Sequence, residues 1–383
     1  MRIGFLCNHD QIHQIAHSLP IALAMSELGH DVRIAASSDA IVAEIARLAG
    51  PERLATLKIV RLDVRRASSR LAERLLGELV PARKLVIYRD NLEFFCSVDV
   101  LVVTERTSLL LKQRYGLYHL KMVLADHGAG DRAIGFGSSA AAFDHILAAG
   151  PKIRDRLIAE AGVDPANITI TGYAKFDTTG EDRPVLPMQA NGRPTVLYNP
   201  HLSPHLSSWY KMGRAVMEQF VVSSRYNLIF APHIMLFHRP FVVTIDRLRI
   251  DRPGKIDPRW LAAPNIHIDT CSPALTDMTY TRAADVYLGD VSSQVYEFLS
   301  ESRPCVFLNA HDVDYRGDAN YAHWQAGPVL SSVDDLDAQI DQAIADHAAT
   351  YRAEQQRLFA YTFDLTDEPS GMRAARAITA LYA

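Results

Sequence analysis

The sequence lacks the motifs of several large enzyme classes. It contains no GxxxxGK[ST] segment, which excludes the P-loop nucleotide-binding enzymes, and no GxSxG segment, which excludes the usual nucleophile of α/β-hydrolases. No apolar run approaches the roughly eighteen residues that would predict a membrane-spanning helix. The first residues, MRIGFLCNHD, predict a strand and lack the long apolar core of a signal peptide.

Cysteine is scarce, with four residues in a chain of 383. No two of them form a CxxC pair, and no spacing is typical of metal ligands, so the sequence predicts neither a metal site nor another cofactor. Three of the four lie in apolar runs, where buried structural thiols are expected. This usage favours a reducing compartment, and we expect a cytoplasmic protein. The cysteines are Cys7, Cys96, Cys271 and Cys305.

An excess of charge of either sign is also absent, since the formal net charge is -4. This balance predicts no attraction to nucleic acid, and we expect none as a partner. The segment Val64–Lys84 is an exception, with five arginines and one lysine against two glutamates. Two interpretations stay open for it: a solvated helix, or peripheral contact with anionic lipid at the inner membrane face or with a phosphate-bearing acceptor.

Apolar runs that alternate with helical patterns predict an α/β protein with parallel sheets. The chain is too long for one ordinary core, and the polar, Pro- and Gly-rich stretch Thr178–Pro194 predicts a linker. We therefore predict two Rossmann-like domains, residues 1–180 and 194–350, whose strand ends face a cleft. Residues 351–383 should form helices that pack back toward the N-terminal domain.

The stretch Val286–Asn309 has the clearest pattern of strand, turn, helix and strand. It puts Asp290, Ser292 and Ser293 at the carboxyl end of a strand and the start of a helix, where ligands and anions bind in open α/β sheets. Glu297 lies one turn further along. A simple helix cap by one of the serines is the alternative interpretation.

Three other predicted strand ends carry polar side chains. His127 follows the strand Lys121–Ala125, Asn199 follows the first strand of the second half, Thr195–Tyr198, and His233 follows Phe230 after two residues. A histidine at the end of a buried strand is well placed to take a proton from an acceptor. Each feature alone also fits an ordinary loop residue, and His323 is assigned no role.

Together, these segments resemble the CDP-glycerol glycerophosphotransferase family, which includes the teichoic-acid polymerases and has the two-domain GT-B architecture. The resemblance covers roughly residues 121–308. The segments that carry it are HG at His127–Gly128, TGYAKFD at Thr171–Asp177, YNP at Tyr198–Pro200, PH at Pro232–His233 and GDVSSQVYEFL at Gly289–Leu299.

The resemblance implies a role for each matching position. His127 corresponds to the catalytic base, and His233 to a second catalytic histidine that helps to hold the pyrophosphate. Ser292 and Ser293 correspond to phosphate-binding serines, and Glu297 to an acid that binds ribose. Donor binding is also implied for the motif positions Asp290, Asn199 and Gly172.

The reaction implied is transfer of glycerol phosphate from CDP-glycerol to an acceptor hydroxyl, with release of CMP. The acceptor would be linked to a lipid or a polymer of the cell envelope. Three alternatives stay open: a GT-B glycosyltransferase that uses a UDP- or CMP-sugar, a non-hydrolysing nucleotide-sugar epimerase, and a nucleotide-binding module without catalysis.

Overall fold

In the computed structural model, the described residues are 1–8, 12–76, 82–125, 128–180, 182–244 and 249–382. They divide into two units. The first comprises Met1–Gly128, Phe136–Thr179 and Tyr361–Ala383, and the second comprises Ala129–Gly135 and Gly180–Ala360. The predicted base, His127, lies outside the described residues.

Seven described strands form the sheet of the first unit, and every pair in it is parallel. Its order is β3-β2-β1-β4-β5-β6-β7. Most of these strands are continuous apolar runs because helices cover both faces of a parallel sheet. The strands are β1 (Arg2–Cys7), β2 (Asp31–Ala36), β3 (Lys58–Arg61), β4 (Val100–Val103), β5 (Lys121–Ala125), β6 (His145–Ala148) and β7 (Ile168–Ile170).

Helices between these strands cover both faces of the sheet, and each face has its own buried apolar cluster. Local signals set their ends: the Ser38 hydroxyl accepts from the amide of Ile41, and Gly162 ends a helix in the left-handed conformation. The helices are α1 (Ile15–Glu27), α2 (Asp39–Leu54), α3 (Ala67–Leu76), α4 (Ala82–Asp90), α5 (Leu92–Cys96), α6 (Leu110–Gln113) and α7 (Pro151–Ala161).

Six described strands form the sheet of the second unit, in the order β12-β9-β8-β13-β14-β15, again with parallel pairs. Its strands are β8 (Thr195–Asn199), β9 (Asn227–Phe230), β12 (Ile266–Ile268), β13 (Val286–Gly289), β14 (Cys305–Leu308) and β15 (Val329–Leu330). Two further strands, β10 (Val242–Thr244) and β11 (Arg249–Asp251), form a separate antiparallel pair.

The remaining helices complete the second unit and the end of the chain. They are α8 (Arg214–Val222), α9 (Pro258–Ala262), α10 (Thr279–Ala283), α11 (Gln294–Phe298), α12 (Leu336–Asp346), α13 (Arg352–Thr362) and α14 (Ser370–Tyr382). A 3₁₀ helix over Ala319–Ala326 lies between β14 and β15.

Helix α14 belongs to the first unit and packs on α1. Two contacts fix it: His30 Nε2 lies 2.9 Å from the Thr379 hydroxyl, and the Asp177 carboxylate accepts from the amides of Ser370 and Gly371 at 3.1 and 2.6 Å. A carboxylate at the first amides of a helix satisfies donors that have no partner within the helix.

The structure differs from the sequence-based expectations in three places. Pro20 in an apolar helical pattern predicts a kink or a restart of the helix, but α1 does not restart there and runs on from Ile15 to Glu27. The β10–β11 pair was not predicted. Cys96 lies in an apolar run but is exposed, so two of the four thiols, Cys7 and Cys305, are buried. Among the described residues, no helix is both long and apolar enough to cross a membrane.

Candidate functional site

The order in which the chain adds strands to the second sheet reverses between the neighbouring strands β8 and β13. Strands β9 and β12 continue on one side, and β14 and β15 on the other. Loops that leave two such strands diverge, and ligands of open α/β sheets bind at the carboxyl ends of strands at this point. His201 lies two residues past β8, and Asp290 directly follows β13.

Asp290 is fully buried, and its carboxylate is occupied by donors of the second unit. It accepts from the amide of His201 at 2.9 Å, from the amide and hydroxyl of Ser208 at 2.6 and 2.8 Å, and from the amide of Val291 at 2.7 Å. Burial raises the pKa of this carboxyl, and the hydrogen bonds act against that rise. Asp290 thus positions His201 and Ser208, and its implied role in donor binding stays a prediction.

Both ring nitrogens of His201 face donors. Nδ1 accepts from the amide of Ser203 at 2.9 Å, and Nε2 lies 3.0 Å from Nη1 of Arg132, which can only donate. A neutral imidazole has one acceptor nitrogen, so the ring cannot accept from both groups. Burial lowers the pKa of His201 well below its ordinary value, and the charge of Arg132 lowers it further, so the ring is neutral near pH 7.

His233 lies beside this ring, with the two ring centres 5.8 Å apart. Its Nδ1 accepts from the amide of Met235 at 3.2 Å, which indicates that the neutral ring carries its proton on Nε2. Burial and, after it, the charge of Arg132 lower the pKa of His233 to about 4. His233 therefore presents an N–H donor and no positive charge at neutral pH.

These groups make a donor-rich cluster at the carboxyl edge of the second sheet, which we call the histidine–arginine cluster: Arg132, His201 and His233. The His201 ring meets one more donor than it can accept from, and a guanidinium charge depresses the pKa of both histidines. An anionic oxygen would accept the mismatched hydrogen bond and would offset the positive field. The geometry is that of an anion-binding site.

The predicted phosphate-binding residues belong to the same unit. Ser292 is buried and its hydroxyl lies 3.4 Å from the amide of Gln294, whereas Ser293 is exposed. Gly130 passes close to Ser293: a Cβ on this glycine would lie 3.0 Å from the Ser293 Cβ. Glu297 is buried on α11, a helix of only five residues. The phosphate and ribose contacts of these side chains stay predictions.

Asn199 and Gly172 have contacts inside their own units. The amide of Asn199 donates to the carbonyl of Ala231 at 2.6 Å, and its oxygen accepts from the Tyr287 hydroxyl at 3.3 Å, so it links the end of β8 to the end of β9 and to a side chain of β13. Gly172, in the first unit, has φ +84° and passes against Ser370. These contacts explain both residue types without a ligand, and the donor-binding roles stay predictions.

Sequence reasoning named His233 but missed the other members of the cluster. His201 directly follows the YNP segment, and Arg132 lies four residues after the HG segment, so both stand just beyond motifs that were noted. It also gave no role to His323, which proves to be buried beside Asp131. Nothing in the local sequence around His323 signals this position.

The described residues contain no group of three or more His, Cys, Asp and Glu side chains that could hold a metal ion. The cluster itself supplies hydrogen-bond donors and a guanidinium. Such groups can orient and stabilise a phosphate or diphosphate.

Comparison with known proteins finds solved structures of similar fold but no match by sequence. No protein-family model matches the sequence, and no curated protein matches it. Solved structures do match over nearly the whole chain. A UDP-N-acetylglucosamine 2-epimerase covers 100% of this chain and 95% of its own, with 14% identity and a TM-score of 0.56.

Two further structures match in the same way. The wall teichoic acid polymerase TagF has 11% identity and a TM-score of 0.59, with 100% of this chain and 90% of its own covered. Anabaena Alr3699/HepE, solved with UDP and glucose, has 13% identity and a TM-score of 0.53, with 100% and 99% covered. The chain shares their fold. The predicted α/β class of GT-B type, with two parallel sheets, is confirmed.

Proposed function

We propose that the chain is a GT-B enzyme whose second unit binds the diphosphate of a nucleotide-activated substrate, and that this substrate is a nucleotide sugar. The observation that carries the proposal is the histidine–arginine cluster. Its guanidinium and its N–H donors lie at the carboxyl edge of the sheet between β8 and β13, where the strand order reverses. An anion there would accept the hydrogen bond that the His201 ring cannot accept.

In this proposal, Arg132 supplies charge to the diphosphate, and His233 donates from Nε2. Ser293 and Ser292 contact phosphate oxygens, and Glu297 binds ribose. The charge that develops on the leaving nucleotide would be stabilised by these fixed donors, which need no reorganisation during the reaction. His127 keeps its proposed role as the base that takes the proton of an acceptor hydroxyl.

The choice of a nucleotide sugar has two supports. Structures of the same fold include a UDP-N-acetylglucosamine 2-epimerase and a protein solved with UDP and glucose. In addition, His201-Leu202 stands where the glycerophosphotransferase motif has threonine followed by an aromatic residue and arginine, and Ala174-Lys175 replaces Pro-Arg. The anion site thus departs from that family at its central residue, His201.

Transfer of glycerol phosphate from CDP-glycerol is the second candidate. It is favoured by the order of the short motifs from His127 to Leu299, and by the fold that the chain shares with the polymerase TagF. The acceptor in either case would be a hydroxyl of a lipid- or polymer-linked chain. Peripheral contact with a membrane, through the basic segment Val64–Lys84, belongs to this proposal as well.

A panel of donors tests the proposal. Melting temperature would be measured with UDP-sugars, CMP-sugars, CDP-glycerol and CDP-ribitol, because a ligand that binds the folded state stabilises it by mass action. We expect a UDP-sugar to raise the melting temperature, and Arg132→Gln to reduce that rise. The matched control is Arg252→Gln, since Arg252 is an exposed arginine of the same unit.

Product analysis then separates the candidates. A sugar transferase releases UDP, or CMP from a CMP-sugar, only when an acceptor is present; an epimerase converts the UDP-sugar alone; and a glycerophosphotransferase releases CMP from CDP-glycerol. His127→Ala should lose transfer while donor affinity is kept. If no nucleotide-activated compound raises the melting temperature, the proposal is refuted.

A further inference from the structure

Asp131 is a buried carboxylate in the loop 128–135, of which residues 129–135 belong to the second unit. It is 2% exposed and accepts from three donors of that unit. The Tyr296 hydroxyl lies 2.9 and 2.7 Å from its two oxygens, the amide of His323 lies 3.1 Å away, and Nδ1 of the same histidine lies 2.8 Å away. The carboxylate therefore fixes the loop to α11 and to the 3₁₀ helix.

His323 is equally buried, and both of its ring nitrogens face acceptors. Nδ1 meets the Asp131 carboxylate, and Nε2 lies 2.9 Å from the carbonyl oxygen of Asp290. A carbonyl oxygen only accepts, so Nε2 must carry a proton. Nδ1 and the carboxylate lie within hydrogen-bond distance, so Asp131 and His323 form a direct contact that is buried on both sides.

The pair is part of a closed network of contacts that includes the histidine–arginine cluster. From His323, the network passes to the carbonyl of Asp290, whose carboxylate accepts from the amide of His201 at 2.9 Å. The ring of His201 meets Nη1 of Arg132, and Arg132 follows Asp131 in the chain. Arg132 is therefore held from its own loop on one side and from His201 on the other.

We propose that Asp131 and His323 are positioning residues that hold Arg132 in place for a bound diphosphate. This inference rests on the proposed function, because it assigns a role to Arg132 at that anion site. Asp131 and His323 act through Arg132 and touch no ligand. Their contacts also tie the site to Tyr296 of α11, next to the segment of Ser292 and Ser293.

The sign of the effect distinguishes positioning from simple charge. Asp131→Asn keeps the shape of the side chain and adds no negative charge beside the site, so charge alone predicts unchanged or tighter binding of an anion. Loss of position predicts weaker binding, because the Arg132 contact is a charge-assisted hydrogen bond whose loss costs about tenfold or more in affinity. We expect Asp131→Asn to weaken binding of inorganic pyrophosphate about tenfold.

A double-mutant cycle with Arg132→Gln is the decisive experiment. Calorimetric titration with inorganic pyrophosphate would compare the full-length protein, Asp131→Asn, Arg132→Gln and the double variant. If Asp131 acts through Arg132, Asp131→Asn changes affinity less than about twofold once the guanidinium is gone. A merely structural role would weaken binding equally in both backgrounds, and this result would overturn the inference.

Two further variants keep the test valid. His323→Gln, which can still donate to Asp131 but cannot donate to the Asp290 carbonyl at the same time, should also weaken binding, and it serves if Asp131→Asn does not fold. Asp269→Asn is the matched control. Asp269 accepts from the Tyr280 hydroxyl at 2.7 Å and from the amides of Cys271 and Ser272, but it does not belong to the network of contacts around Arg132. It should leave pyrophosphate affinity unchanged.

The outcomes also separate this inference from the proposed function. If the unmodified protein does not bind pyrophosphate, or if Arg132→Gln binds it as well as the unmodified protein does, the proposed function fails and the inference fails with it. If Arg132→Gln weakens binding and Asp131→Asn leaves it unchanged or tightens it, the anion site stands and the positioning role is refuted.

Discussion

Anion binding by the second unit should become tighter as pH falls, because His233 is held neutral in the free protein. Burial and the charge of Arg132 lower its pKa to about 4, so almost no ring is protonated at neutral pH. A bound anion favours the protonated ring and raises this pKa. Binding must then take up a proton, and linkage requires affinity to rise as protons become available.

The size of the effect follows from the charges involved. A unit charge about 4 Å from the ring contributes about 1–4 kcal/mol at effective dielectric constants between those of water and a protein surface. That is about 1–3 pKa units, which would bring the pKa of His233 from about 4 to about 6 in the complex. A single group with this shift makes binding about tenfold tighter near pH 5 than near pH 8.

Sulfate is the right probe because its own charge stays constant across the range in which histidine titrates. Calorimetric titration near pH 5, 6.5 and 8 gives the affinity, and buffers of different ionisation enthalpy give the protons taken up. His233→Gln removes the titrating ring and should lose most of the pH dependence. Affinity that is constant, or that falls toward low pH, would refute the argument about this histidine.

Two further predictions concern stability, measured as the free energy of unfolding in urea. Gly172→Ala should cost about 3 kcal/mol or more, because φ is +84° and the new Cβ would strike Ser370. Gly192→Ala, at φ +74° with open space around it, should cost only about 1 kcal/mol. Equal losses of stability would contradict the steric argument. Asp177→Ala should cost about 1–2 kcal/mol through loss of the cap of α14. Asp367→Ala, at an exposed position, should change stability by less than about 0.5 kcal/mol. If Asp177→Ala costs no more than Asp367→Ala, the capping role is contradicted.

Strands of the two parallel sheets were predictable because burial on both faces makes them continuous apolar runs. The pattern located β1 and β5 at the observed residues, and β13 and β14 on either side of α11. It missed β10 and β11 because strands of three residues with exposed positions carry no such run. A local sequence pattern therefore predicts a strand when the strand itself forms a continuous apolar run.

Roles of single side chains were harder to predict because their partners are far away in the chain. Asp290 occupies a turn, as expected, but its carboxylate is used by an amide 89 residues earlier, that of His201. Asp131 and His323 are 192 residues apart. Such contacts depend on which loops leave neighbouring strands, and this follows from the order of the sheet and not from local propensity.

The two histidines of the cluster show how sheet order adds information to a weak motif. Each directly follows a proline at a strand end, and each ring accepts at Nδ1 from the amide two residues later. Taken singly, a Pro-His pair in a loop predicts little. Strands β8 and β9 are parallel neighbours in register, and the amide of His233 donates to the carbonyl of Pro200 at 3.0 Å. Two identical turns on adjacent strands then bring their rings together, with Nδ1 of each ring bound to an amide of its own turn. A repeated local motif on neighbouring parallel strands therefore predicts a paired site that neither copy predicts alone.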